Sequence, residues 1–509
     1  MSILLRGGLV ITGGAGGRRI ERGAVLVEGN RIAWVGDDKD VGARADAPGI
    51  TVIDARHSIV LPGLINAHTH SNEGFEQGAY DNMPLEVWMM HNGPPFGMPR
   101  LSERDQYMRT MLCAVESIRS GVTTIQDDIL TFFEPEAVNG AARAYRDIGL
   151  RAVVTVTMLD CGFLDRRPFL REIVPPALAA ELDAIPVPSR AEQIAQFMDH
   201  FKRWHDPDRG LSIIPAPTSP QRCSNELLQE SADIAARYDL AMHIHTDETK
   251  TQAVAARQFW GKSLVERLSE LGVLSPRLSL NHGIWLTPND IALVGRAGCS
   301  VTHNPLSNMK LGSGVCPVRA LLEAGANVAL GTDGLSSSDT ADLMEALRAA
   351  ALVNKLGGFD PERWISAHEA FHMSTHGGAY STNLVKDVGS LEAGKKADII
   401  LLDRDAWGFI PLNDPIRQLA YSVTSEAVTH SIIDGRIVMR DRKLTLVDEA
   451  SLKEQVREVA ERFRRDHWPA MQAGAARVAP YIRQMHDRAT AMEIDFGHEP
   501  RVRPMGGDS

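Results

Sequence analysis

The sequence predicts an α/β protein, a (β/α)8 TIM-like barrel with a small β-sandwich domain formed from both chain ends. Three observations carry this. Eight short apolar runs alternate with helical patterns through the middle of the chain. β-rich stretches of one style lie at both ends. Polar residues fall at the C-terminal ends of runs from the first to the eighth, and a closed barrel gathers those ends. A doubly wound open sheet is the alternative, but it would leave the outer ends far apart.

Taken in order, Leu9–Thr12, Ala24–Val27 and Ile32–Val35 read as strands. They are separated by a Gly-rich turn at Gly13–Gly17 and a hairpin turn at Glu28-Gly29-Asn30. The barrel strands are Leu64–His70, Thr123–Gln126, Ala152–Thr157, Ser212–Ala216, Ala241–His245, Leu278–His282, Ser300–His303 and Val328–Gly331. One helix starts after Ser102, an N-cap with Asp105 three residues on. Another runs from Asn225 through Ala235, and a third from Asp339 through Leu347. Ala397–Leu402 and Ser431–Val438 return to the style of the first strands. Beyond Ser451, Leu452, Val456, Val459, Ala460 and Phe463 keep helical spacing, and Gly497–Ser509 reads as loosely ordered. The implied domains are 1–60 and 389–446 for the sandwich, 61–388 for the barrel and 447–509 for a helical extension.

With 509 residues, 44% hydrophobic and 23% charged, the chain has an ordinary globular composition. A net charge of −11 argues against a nucleic-acid partner. The five cysteines lack close spacing and fit free thiols in a reducing compartment. The N-terminal stretch lacks a secretory pattern, and no run reaches membrane-spanning length. A cytoplasmic enzyme acting on a small molecule, without nucleic acid or membrane, is expected.

The candidate site has four parts. His68 and His70 are two apart on a strand and point to one face. His243 and His245 repeat that spacing; His245 is nearer the barrel mouth, while His243 belongs one layer down. Glu248, just past that strand, is placed to carry a proton. His282 can ligate a metal or hydrogen-bond the attacking oxygen. Asp333, in Gly331-Thr332-Asp333-Gly334, can touch a metal and accept a proton, with the glycines allowing a tight turn. Nitrogen and hard-oxygen donors of this kind suit a divalent metal with an open position.

These stretches resemble the amidohydrolase superfamily, together with Gly389-Ser390-Leu391-Glu392-Ala393-Gly394-Lys395-Lys396-Ala397-Asp398 and Asn304–Gly314. The likeness is to the branch of S-adenosylhomocysteine and methylthioadenosine deaminases, guanine and cytosine deaminases, and triazine hydrolases. It extends from the N-terminus to about Leu444. The resemblance implies metal ligands His68, His70, His245 and Asp333, Glu248 as proton shuttle, and His282 orienting nucleophile or substrate. It also implies a homodimer or homotetramer. Many members bridge two metals with a lysine on the fourth strand; here Leu211–Pro217 has none, so one metal is expected, zinc by default and iron as the other choice.

The expected reaction is hydrolysis of a C–N bond in a nitrogen heterocycle or related amine. Its alternatives are triazine-type displacement of chloride, thioether or alkylamine, and hydrolysis of a small amide or urea. A non-catalytic relative is disfavoured because every ligand position is filled. For the substrate, Trp88 and Phe96 either stack on the ring or pack their loop onto the barrel. Gln126 and Asn304 are expected to hydrogen-bond ring nitrogens, and His303 to support them or the substrate. Asp247 and Asp339 place extra acid near the pocket, favouring a cationic or amino substituent. No basic cluster marks a phosphate site, which favours a neutral base or nucleoside.

Overall fold

The computed structural model describes residues 2–14, 16–42, 49–129, 136–497 and 500–501. Most of the Gly- and Pro-rich tail therefore lies outside the described residues. The chain opens with β1 (Ser2–Ile11), β2 (Arg19–Glu28), β3 (Arg31–Asp37), β4 (Ile50–Asp54) and β5 (Ser58–Pro62). Eight further strands follow. They are β6 (Leu64–Thr69), β7 (Val122–Asp127), β8 (Arg151–Met158), β9 (Leu211–Pro217), β10 (Met242–Thr246), β11 (Leu278–His282), β12 (Ser300–His303) and β13 (Asn327–Leu330). The chain then returns through β14 (Ile399–Asp403), β15 (Val428–Ile433), β16 (Arg436–Arg440) and β17 (Lys443–Leu444).

The middle strands form two parallel four-stranded sheets, β6-β7-β8-β9 and β10-β11-β12-β13. They are buried almost throughout, as parallel strands covered on both faces should be. Backbone bonds join the sheets at both margins. His245 N donates to Thr218 O at 3.1 Å beside β9, and Asp333 N donates to His68 O at 3.0 Å beside β6.

The end strands form one continuous nine-stranded sheet, β17-β16-β15-β14-β5-β1-β2-β3, with β4 also on β1. Both chain ends contribute strands to it. Register shifts between Arg6 and Val10 bend β1, so its first half pairs with β4 and its second with β5. Inward residues from both halves, Ile3, Val25 and Val27 with Ile399, Leu401 and Ile432, share one apolar cluster.

The helix Glu103–Arg119 has the full capping box: Asp105 N donates to Ser102 Oγ, and Ser102 N donates back to the Asp105 carboxylate. The helix expected from Asp339 begins instead at Leu343 and is capped by Asp342. Asp339 is spent elsewhere, accepting from Gly78 N at 2.7 Å and pairing with Lys310. The C-terminal pattern forms two helices, Glu449–Asp466 and Trp468–Thr490, broken at His467. Phe463 packs 5.9 Å from Phe75, and Trp468 stacks 5.7 Å from Tyr80, which seats the pair over the strand ends. Among the described residues no helix is long and apolar enough to cross a membrane.

Candidate active site

Strand ends deliver the polar groups to one place. His68 lies in β6 and His70 just after it; His245 lies in β10, His282 closes β11, and Asp333 follows β13. The ligand-capable atoms of His68, His70 and His245 lie within 4.8 Å of one another, as do those of His68, His282 and Asp333. His70 Nε2 is 3.3 Å from His245 Nε2. Asp333 Oδ1 is 3.4 Å from His68 Nε2 and 3.5 Å from His70 Nε2. Glu248 Oε2 reaches His282 Nε2 at 3.6 Å, and Asp333 Oδ2 stands 3.9 Å from it.

The backbone is strained where the chemistry sits. Asp247, His282 and Asp333 have φ of 50°, 68° and 66°, a left-handed region that costs non-glycine residues energy. The two glycines beside Asp333 serve close approach rather than the turn expected of them. A Cβ on Gly331 would lie 2.8 Å from His68 O, and one on Gly334 would lie 2.0 Å from Glu73 Oε2.

Outer hydrogen bonds set the imidazoles. His70 Nδ1 donates to Asp128 O at 2.7 Å, and His245 Nδ1 donates to Thr218 O at 3.0 Å. A carbonyl can only accept, so in the neutral form of each ring Nε2 turns a lone pair to the centre. His68 Nδ1 bonds His243 Nε2 at 2.9 Å, which places His243 one layer down as expected. His282 Nδ1 donates to Asn308 Oδ1 at 3.0 Å. Burial pushes His68, His245 and His282 down to about 4, leaving neutral rings at pH 7. Burial acts the same way on His70, but Glu73, Asp128 and Asp333 outweigh it and hold that ring up at about 9. Burial, then the Asp333, Glu86 and Glu73 carboxylates, raises Glu248 well above the usual range. Burial opposes ionisation of Asp333 too, yet His68, His282 and His70 hold it well below that range.

His70, His245, Glu248, His282 and Asp333 line a cavity of about 280 Å³. Trp88 lines it as well, while packing with Tyr80, Leu85 and Leu311. Phe96 does not line it and lies against Arg477, 4.3 Å from the guanidinium. Three expected substrate residues lie off the cavity wall: Gln126 and Asn304 sit beneath the imidazoles, and His303 turns to Asn354. Gln126 Nε2 bonds Ala67 O at 3.0 Å and His243 Nδ1 at 2.6 Å. Asn304 Nδ2 faces His282 Nδ1 at 3.4 Å, and His303 Nε2 faces Asn354 Nδ2 at 3.4 Å. All three are fully buried off the cavity wall; Gln126 and Asn304 fall one layer too deep, and His303 faces the end of the helix Leu343–Val353. Asp247 and Asp339 also lie off the wall. The Asp247 carbonyl instead accepts from Ile284 N and Trp285 N.

The structure adds groups not singled out from sequence. Asp128 Oδ2 stands 3.6 Å from His245 Nδ1, and Glu73 accepts from Ser336 N and Oγ beside Asp333. The Gln126-Asp127-Asp128 run at a strand end was the available signal for Asp128. Arg166, Arg167 and Arg222 meet on the cavity wall although Arg222 is distant in sequence.

The donor set fits a divalent ion. His68 Nε2 is buried without a hydrogen bond, and it faces the Asp333 carboxylate and the neutral imidazoles of His245 and His282, the donors such ions take. Fold and donor set together suit a metal-dependent hydrolase. A model of the amidohydrolase family, a metal-dependent family, matches residues 59–438, and the chain belongs to that family. It is 35% identical to a 5-methylthioadenosine/S-adenosylhomocysteine deaminase of Syntrophobacter fumaroxidans, over 90% of this chain and 97% of that one. A crystal structure of an adenosine deaminase from Xanthomonas campestris with bound zinc is similar at 29% identity and TM-score 0.79, covering 91% of this chain and 98% of that one. An atrazine chlorohydrolase from Arthrobacter aurescens, complexed with zinc, shares the fold at 24% identity and TM-score 0.78, over 90% of this chain and all of that one (100%).

Proposed function

We propose that the chain is a metal-dependent deaminase of adenine nucleosides. One zinc ion would be held by His68, His70, His245 and Asp333. The observation that carries this is the convergence of those four groups with Glu248 and His282 on one cavity. The 35% identity to a deaminase of adenosine derivatives supports the leaving group over triazine-type displacement, for which the likeness is one of fold. The absence of lysine from β9 supports a single ion.

An ion held there would supply Lewis-acid chemistry, of the kind that lowers the pKa of a water from about 15.7 to about 7. Asp333 accepts a proton from the attacking water at a carboxylate oxygen. Glu248 delivers its proton to the ring nitrogen as the C–O bond forms; the proton held by Asp333 then passes to the leaving amine, ammonia departs as the C–N bond breaks, and the hydroxyl proton of the addition product returns to Glu248. His282, fixed by Asn308, steadies the incoming oxygen. Trp88 offers the ring a flat apolar wall.

The two four-stranded sheets are read as one closed (β/α)8 barrel, supported by the backbone bonds at both margins. The domain division 1–60, 61–388, 389–446 and 447–509 belongs to the same reading. Five free thiols support a reducing, cytoplasmic setting. A homo-oligomer remains an expectation for light scattering to decide. Function is tested by ammonia release from purines, purine nucleosides, pyrimidines, pterins and triazines with zinc-loaded protein. Turnover of adenine nucleosides is the expected result, and turnover confined to triazines or small amides would replace the proposal.

A further inference from the structure

The helix Trp468–Thr490 lies beyond residues 59–438 that match the family, yet it borders the candidate site. Its Met471, Ile482 and Met485 line the cavity, and the last two are buried against Leu164, Leu170 and Leu182 of the connection after β8. At its C-terminal end it reaches the segment that follows Glu248 in two places. His486 Nδ1 donates to Glu86 Oε2 at 2.8 Å, and Thr249 Oγ1 donates to Glu86 Oε1. Lys250 Nζ donates to the Thr490 carbonyl at 2.8 Å. The residues one and two positions past Glu248 are therefore both tied to the last turns of this helix.

Neither contact follows from local preference. Lys250 opens the helix Lys250–Trp260, where the helix dipole disfavours a cation. Its ammonium turns instead to a helix C-terminus, where free carbonyls favour one. Thr249 is the N-cap residue of the same helix, but its side chain makes no capping bond, because its hydroxyl is committed to Glu86. Burial opposes the charge of Glu86, yet the bonds from His486 and Thr249 hold its carboxyl below the usual range. Hydrogen bonds to a buried carboxylate are the stronger kind. Within the turn, Glu248 N donates to Gln252 Oε1 at 2.9 Å, so the Glu248 backbone moves with the start of that helix. Its carboxyl group faces His282 across 3.6 Å, and a displacement of about 1 Å in such a group can cost about a hundredfold in rate. We infer that His486 and Lys250 are positioning residues for Glu248, so that the C-terminal helix belongs to the active site. This rests on the proposed role of Glu248 as proton carrier.

The test compares Lys250→Met and His486→Leu with Lys250→Arg and His486→Asn, which keep a donor in place. With zinc-loaded protein and adenosine, each of the first pair should lose about ten- to a hundredfold in kcat, with KM of Lys250→Met within about threefold of wild type. Zinc content should stay full, and the conservative pair should recover most of the loss. Wild-type kcat in both Lys250→Met and His486→Leu, or a loss of zinc matching the loss of kcat, overturns the inference. Native-state hydrogen exchange of the wild-type protein in low urea needs neither turnover nor a folded variant. The bonded amides of Glu248, Gln252 and Ala253 should exchange through one opening shared with the last turn of the helix Trp468–Thr490. Separate openings overturn the tether and leave the deaminase reading standing. If adenosine and the other nucleosides do not turn over, that reading fails instead, and the exchange pattern still decides the tether.

Discussion

Glu248 occupies the turn between β10 and the helix Lys250–Trp260, where its carboxyl group faces His282 across 3.6 Å. It is outside the proposed ligand set, so Glu248→Gln should keep the metal and lose about 10²–10⁴-fold in kcat. Metal analysis beside a turnover assay checks this, and unchanged turnover removes Glu248 from the mechanism. Asp333 is different because its Oδ1 lies near both His68 and His70. Asp333→Ala should lose metal and activity together; full metal content in the purified variant refutes the ligand role. The same two residues show why close approach matters here. Gly334 lets Glu73 come against the Asp333 turn, and no larger residue fits without moving it.

Trp88 belongs to the helix Leu85–Asn92, which packs under the C-terminal helix Trp468–Thr490 and turns one face to the cavity. Trp88→Ala should raise KM about tenfold if ring stacking is worth a typical aromatic contact, with melting temperature recorded beside it. A lowered melting temperature with unchanged KM assigns the side chain to packing alone. At this scale the eight central strands were legible because each is a short apolar run ending in a polar residue. The helix after Ser102 was legible because its cap is local. His68, His70 and His245 were legible because two-residue spacing fixes a shared face. Gln126 and Asn304 were misjudged because strand patterning gives the face but not the depth, and a layer of imidazoles separates them from the cavity; His303 was misjudged because it turns to Asn354 instead. The arginine wall was not legible, since loop geometry alone brings Arg222 to Arg167. The break in the tail did have a signal: Pro469 sits in the first turn of the second helix, a position proline favours.

Across the whole molecule, one buried ion pair ties the central strands to the end sheet. Arg151, at the start of β8, makes a double bond pair to Asp398 at 2.9 and 3.0 Å, and both side chains are buried. Asp398 ends the Gly389–Asp398 motif and also accepts from Asp434 N. Asp398→Ala leaves the guanidinium without its main partner and should destabilise the protein by about 3–5 kcal/mol. Denaturant unfolding checks this, and a loss under about 1 kcal/mol would show that Asp434 carries the pairing alone.

The end sheet also constrains synthesis. β5 lies between β1 and β14, so one of its edges is satisfied only by a strand beginning at Ile399. At roughly 5–20 residues per second, translation leaves that edge bare for about twenty seconds to a minute. During that interval the nascent chain presents an apolar strand, Ser58-Ile59-Val60-Leu61-Pro62, to any other unpaired edge nearby. Ribosome-bound chains halted before Ile399 should therefore need a chaperone to stay dispersed, a demand that ends once the emerging C-terminal strands close the sheet.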